Sequence, residues 1–146
     1  MKIRAARTED LDAIKALLSE DDLPASDITA DLLNDFAVAE DVDGSAVGSV
    51  GLERYGPNAL LRSLAVAQPA RNAGLGGRLL AHAEDLAREK GILELWLLTT
   101  TAPDFFRPRG YVDVGRSSVS AEIQATKQFA RLRPASAVCM RKTLSR

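Results

Sequence analysis

The chain has 146 residues, 46% of them hydrophobic, and its 19 Lys and Arg against 20 Asp and Glu leave a net charge of −1. That length fits one domain with one core, since it buries roughly two thirds of the surface exposed on unfolding, and the near-neutral charge excludes a bulk positive field for nucleic acid or anionic lipid. Cys139, the only cysteine, excludes an intrachain disulfide and a cysteine-cluster metal site; with no signal-type apolar run and no stretch near the roughly 18 residues of a membrane span, a metal-free cytoplasmic protein is expected.

Residues 3–7 read as a first strand. Thr8, Asp10 and Asp12 supply a capped, acidic helix start that complements the helix dipole, and Leu11, Ile14, Leu17 and Leu18 fall on one helical face. An acidic break ending at Pro24 stops that helix, and a second short helix, capped by Ser26 and Asp27, carries Ile28, Leu32 and Leu33. Residues 36–40 form a strand, 41–44 a hairpin turn, and 46–54 the returning strand. After a turn at 55–58, residues 59–66 form a fourth strand, which completes an antiparallel meander. A loop with Pro69, Gly74, Gly76 and Gly77 opens a long helix in which Leu75, Leu79 and Leu86 recur at helical spacing and which Gly91 ends. The apolar run 93–99 is a buried central strand. The helix before it makes a βαβ unit, with parallel pairing and a right-handed crossover. A helical turn near 102–106, a break at 107–110, a strand from Tyr111 to about residue 115, a segment near 120–126 and a last strand at 137–142 follow. The expected fold is one α/β domain over residues 1–146, with a mixed sheet flanked by helices.

A strand, a glycine-rich loop and a helix in that order turn unpaired backbone N–H groups into an anion cradle. Gly74 and Gly76 would let an anion approach the backbone and let the chain take positive φ, and Arg71 would add a charge-assisted contact. The same glycines also suit a plain tight turn, with Arg71 solvated. No Gly-Lys-Ser/Thr follows, and no dinucleotide fingerprint sits after the first strand.

The order of elements, together with Arg71-Asn72-Ala73-Gly74-Leu75-Gly76, resembles the GNAT superfamily, whose acetyl-CoA motif is Arg or Gln, two residues, Gly, one residue, Gly or Ala. Leu64-Ala65-Val66 resembles that family's fourth strand, and Phe105-Phe106-Arg107-Pro108-Arg109-Gly110-Tyr111 its aromatic, three-residue, Gly, aromatic signature. The resemblance implies acetyl transfer from acetyl-CoA to a small-molecule amine. It places Leu64, Ala65, Val66, residues Arg71 to Gly77 and Phe106 at the acetyl-CoA site. Phe106 stands where many members carry a Tyr that protonates the departing thiolate, a step Phe cannot perform. Glu53, near the end of the third strand, is the candidate base that frees the amine; the alternative is a surface or salt-bridged carboxylate.

Residues 129–142 resemble a narrower branch, the arsenic-resistance N-acetyltransferases, close in pattern to N-acetylglutamate synthases. Arg133 stands where related segments often have Cys. A metalloid trap needs several soft thiolates, so this branch implies acetylation of a glutamate analogue such as arsinothricin or phosphinothricin. Glutamate itself, another amine or a peptide N-terminus are alternatives, and a non-catalytic acetyl-CoA sensor is the alternative of another class. Arg62 first, then Arg131 and Arg133, are candidates for gripping a substrate oxyanion, against a solvated surface role. Thr99 either hydrogen-bonds substrate or caps a helix, and His82 and Tyr111 are read as packing residues. A homodimer is neither required nor excluded.

Overall fold

The computed structural model describes residues 1–71, 74–126 and 137–144. Its strands are β1 (Lys2–Ala5), β2 (Phe36–Glu40), β3 (Ala46–Tyr55), β4 (Asn58–Val66), β5 (Glu94–Thr99), β6 (Val112–Asp113) and β7 (Val138–Thr143). Its helices are α1 (Leu11–Glu20), α2 (Leu75–Glu89), α3 (Pro103–Phe106) and α4 (Ala121–Gln124). The strands form a mixed seven-stranded sheet in the order β1-β2-β3-β4-β5-β7-β6. Two compact units divide the chain, one made of residues 1–53 and 61–86, the other of residues 54–60 and the described residues from 87 onward.

In the first unit β2 pairs antiparallel with both β1 and β3, with a register shift between Ala39 and Glu40. A two-residue turn joins β3 to β4, a connection that only antiparallel strands permit. Ile14, Leu17 and Leu18 of α1 pack with Ile28, Leu33, Phe36, Val38 and Ala65. Phe36 lies opposite Gly51, and its ring fills the space a side chain would need: a Cβ at Gly51 would come within 2.2 Å of the ring. Gly48 does the same for α2, since a Cβ there would meet Leu79 Cδ1 at 2.8 Å and Leu75 Cδ2 at 3.4 Å.

Two helix starts differ from expectation. Helix α1 begins at Leu11 after a 3-10 turn at Thr8–Asp10, and Thr8 does not cap it. Asp10 accepts the Arg7 backbone N–H (2.7 Å) and two hydrogen bonds from Arg4 (2.8 and 3.0 Å). Ser26 and Asp27 cap no helix either; only a 3-10 turn forms, at Asp31–Asp35, because the Asp27 carboxylate is taken by an arginine of β4.

In the second unit the start of β4 pairs parallel with β5 over Asn58–Glu94, Ala59–Leu95 and Leu60–Trp96, which bears out the expected βαβ pairing. Helix α2 ends at Gly91, whose φ of +78° suits a glycine terminator. Antiparallel β7 flanks β5, and β6 pairs with β7 over only two residues, shorter than expected because Tyr111 turns into the core. Leu60, Trp96, Leu98, Val119, Ile123, Ala137 and Cys139 form this unit's core. Burial pushes the Cys139 thiol up to about 11, so it carries almost no thiolate at neutral pH.

The Gly51 contact sets a stability prediction. Gly51→Ala should cost about 1–3 kcal/mol by forcing Phe36 out of its place. Urea unfolding would measure it, and an unchanged midpoint would show that the ring has room to move.

Candidate active site

Strand β4 breaks its inside-outside alternation where the chemistry gathers. Leu61, Arg62 and Ser63 are all buried, and Ser63 has φ +60°, a left-handed conformation that a residue with a side chain adopts at a cost. Two contacts hold it there: Ser49 Oγ donates to the Ser63 carbonyl (2.8 Å), and Arg62 Nε donates to Ser63 Oγ (3.1 Å).

The Arg62 side chain is 1% exposed and grips Asp27 with both prongs, Nη1 to Oδ2 at 2.5 Å and Nη2 to Oδ1 at 2.7 Å. Bidentate pairing of this kind is the strong form of the arginine–carboxylate contact. Both prongs that Arg62 was expected to offer a substrate are held by Asp27. Asp27 itself was missed at the sequence level, where it read as a helix cap.

Glu53, on β3, completes the cluster. Its Oε2 lies 3.6 Å from Arg62 Nη1, beyond hydrogen-bond reach, and is buried without a hydrogen-bond partner. Burial raises the Glu53 carboxyl above the usual carboxylate range; Arg62 opposes the rise and Asp27 adds to it. A largely buried carboxylate with one oxygen that no donor meets, and with raised basicity, can accept a proton from an ammonium group.

The anion cradle forms in the same unit. After β4 come a 3-10 turn at Gln68–Ala70, exposed Arg71 and Gly74, and then α2. Gly74 has φ +74°, and the space where its Cβ would stand is open. The Arg78 N–H bonds to the Gly74 carbonyl (3.2 Å), so the N–H groups of Leu75, Gly76 and Gly77 precede any acceptor within the helix. With the helix dipole behind them, these groups have the chemistry to hold an anion. Gly76 thus serves from the first turn of α2, and only Gly74 of the two uses positive φ. Arg71 folds back, its Nε donating to the Val66 carbonyl (3.0 Å) and its Nη2 paired with Asp21. Ala65 is buried in the core, and Leu64 and Val66 are half-buried. Asn72, Ala73, Arg131 and Arg133 lie outside the described residues.

The other predicted positions fall in the second unit. Thr99 Oγ1 accepts the Ala102 N–H (3.0 Å), a local turn contact. Phe106 is buried edge-on between Phe105 (5.0 Å) and Tyr111 (5.4 Å) and offers no proton. Among the described residues no group of three His, Cys, Asp or Glu side chains could hold a metal, and no helix is long and apolar enough to cross a membrane.

The cradle makes a direct prediction. Gly76→Val sets a branched side chain on the first turn of α2 and should weaken acetyl-CoA binding by about tenfold or more, the equivalent of about 1.4 kcal/mol. Calorimetry should register that loss with an unaltered circular dichroism spectrum; unchanged affinity in a folded variant would remove the cradle from the binding site.

Comparison with known proteins agrees with this geometry. The family described as acetyltransferase (GNAT) domain matches residues 33–113, more than half of the chain. An uncharacterised N-acetyltransferase of Chlorobaculum tepidum is 36% identical over 83 residues, covering 56% of this chain and 52% of that protein. An amino-acid acetyltransferase of Neisseria meningitidis is 35% identical over 81 residues, 54% of this chain and 18% of that protein. The chain thus spans about half the length of the first relative and under a fifth of the second. Among solved structures, the N-acetylglutamate synthase of Neisseria gonorrhoeae complexed with coenzyme A and N-acetyl-glutamate has a TM-score of 0.85 at 25% identity, over 99% of this chain and 35% of that one. A Mycobacterium tuberculosis protein crystallised with CoA has the same fold end to end, with a TM-score of 0.82 at 22% identity over 99% of this chain and 100% of that one. On its matched sequence, and with the sheet and cradle described above, the chain belongs to the GNAT acetyltransferase family.

Proposed function

We propose that the protein transfers the acetyl group of acetyl-CoA to the α-amine of a small anionic amino acid of the glutamate class. The observation that carries this reading is Glu53, a buried carboxylate with a free lone pair and raised basicity in the unit that also holds the anion cradle. Family membership supports the donor, and the amino-acid acetyltransferase and N-acetylglutamate synthase relatives support the acceptor class.

In the proposed reaction Glu53 takes the proton of the substrate ammonium, directly or through one water. The freed amine attacks the thioester carbonyl, whose developing oxyanion is met by backbone N–H groups of the Leu64-Ala65-Val66 segment. The tetrahedral adduct then collapses, the C–S bond breaks, and the proton still on nitrogen leaves to the expelled CoA thiolate, giving the amide and free CoA thiol. A thiolate is a good leaving group, so the loss of a protonating Tyr at Phe106 is tolerable. With Arg62 committed to Asp27, the substrate's distal anion needs another cation; Arg131 and Arg133 are the proposed ones.

Two acceptors compete within this class. The solved synthase complex favours glutamate, whereas the tail resemblance favours a tetrahedral analogue, arsinothricin or phosphinothricin. Steady-state CoA release with each amine at matched concentration decides. A larger kcat/KM for the analogues would support the resistance reading, and a larger value for glutamate the synthase reading. Turnover on peptides alone would sink the amino-acid assignment, and acetyl-CoA binding without turnover on any amine would leave a sensor.

Glu53→Gln should lower turnover by roughly 10²–10⁴ while leaving acetyl-CoA affinity intact. Because the base acts only when ionised and its carboxyl is raised, wild-type kcat/KM should fall as pH drops through that raised value and hold above it. Near wild-type turnover of the variant across pH would return Glu53 to a structural role.

A further inference from the structure

We infer that Asp27 is a positioning residue for catalysis: by occupying both prongs of Arg62, it keeps the guanidinium from clamping Glu53 and leaves the Glu53 carboxylate free to accept the substrate proton. The inference deepens the proposed function and rests on its assignment of Glu53 as base.

Geometry carries it. Arg62 Nη1 stands between two carboxylates, 2.5 Å from Asp27 Oδ2 and 3.6 Å from Glu53 Oε2. The bidentate contact fixes the guanidinium against Asp27, so Nη1 stays beyond hydrogen-bond reach of Glu53 and Oε2 is left buried with nothing donating to it. A base hydrogen-bonded by a guanidinium would be a poor one, because the bond stabilises the ionised form and occupies the lone pair that must receive the proton. Complete removal of the guanidinium would take away the charge that opposes the rise of the Glu53 carboxyl and so favour its protonated form, which cannot act as a base. The cluster sits between these failures. The positive charge is near enough to oppose the rise of the Glu53 carboxyl and is held too far away, by its bonds to Asp27 and Ser63, to hydrogen-bond it. Arg62 of β4 and Asp27 of the α1–β2 connection are the charged groups that act on Glu53.

Asp27 is also placed by construction. Arg62 is fixed by its Nε bond to Ser63, whose left-handed backbone is itself held by Ser49. The fork therefore points in one direction, and the Asp27 segment meets it there.

The test uses the full-length protein with 13C-labelled glutamate side chains, and Glu53→Gln assigns the Glu53 signal. In Asp27→Asn the released guanidinium turns to Glu53. Its titration midpoint should fall by about one pH unit or more, and the acidic limb of kcat/KM should move down with it while plateau turnover drops at least tenfold. Asp27→Glu, which keeps the charge, should restore the wild-type midpoint. Should Asp27→Asn fail to fold, Asp27→Asn combined with Arg62→Met removes both charges of the ion pair together; there the midpoint should lie at or above wild type, opposite in sign to the single change. An unmoved midpoint in folded Asp27→Asn, or a lowered one in the double variant, overturns the inference. A midpoint that moves while the rate profile stays put would instead overturn Glu53 as base, and with it any catalytic part for Asp27.

Discussion

A guanidinium withdrawn from water governs the first unit of this protein. Burying an isolated charge costs several kcal/mol even after the surroundings relax, so Arg62 must be met by carboxylate and hydroxyl oxygens wherever the chain can supply them. That demand accounts for three local irregularities at once. The segment after α1 gives up the helix that Ser26 and Asp27 would have started, because Asp27 is needed at the arginine. Ser63 leaves strand geometry and offers Oγ to Nε. Glu53 keeps Oε2 buried although no hydrogen bond meets that oxygen.

What the sequence disclosed follows the range of the forces involved. Apolar alternation and turn residues located every strand of the first half, and the parallel pairing of β4 with β5 followed from a helix of the right length between two apolar runs. Local signals failed where a distant partner outbid them. Asp27 after Ser26 is a good cap by short-range rules, but its partner lies 35 residues away, and a sequence of 20 acidic residues does not say which one a buried arginine will take. Thr8 lost its capping role to a near neighbour instead, Asp10, which also answers Arg4. Tyr111 shows the converse, where one large ring buried in the core shortened a strand that pattern alone had extended.

The candidate site divides along the same line. The cradle at Gly74, Leu75, Gly76 and Gly77 was legible because backbone groups and glycines encode it within a few residues. Glu53 was legible by position but not by state: its burial, and the reason its carboxyl is raised, come from neighbours on other elements. Arg62 was singled out for its two-pronged geometry, and Asp27 holds that fork, since a fork that fits a substrate carboxylate fits an aspartate equally well.

Cys139 has an implication of another kind. It is the sole cysteine, it lies within the second unit's core, and burial keeps its sulfur protonated at ordinary pH. The natural protein is thus close to a silent background for thiol chemistry. A cysteine placed by mutagenesis on an exposed loop would be the one sulfur that a maleimide dye or spin label finds, and distances across the fold become measurable without first removing a native residue from the core.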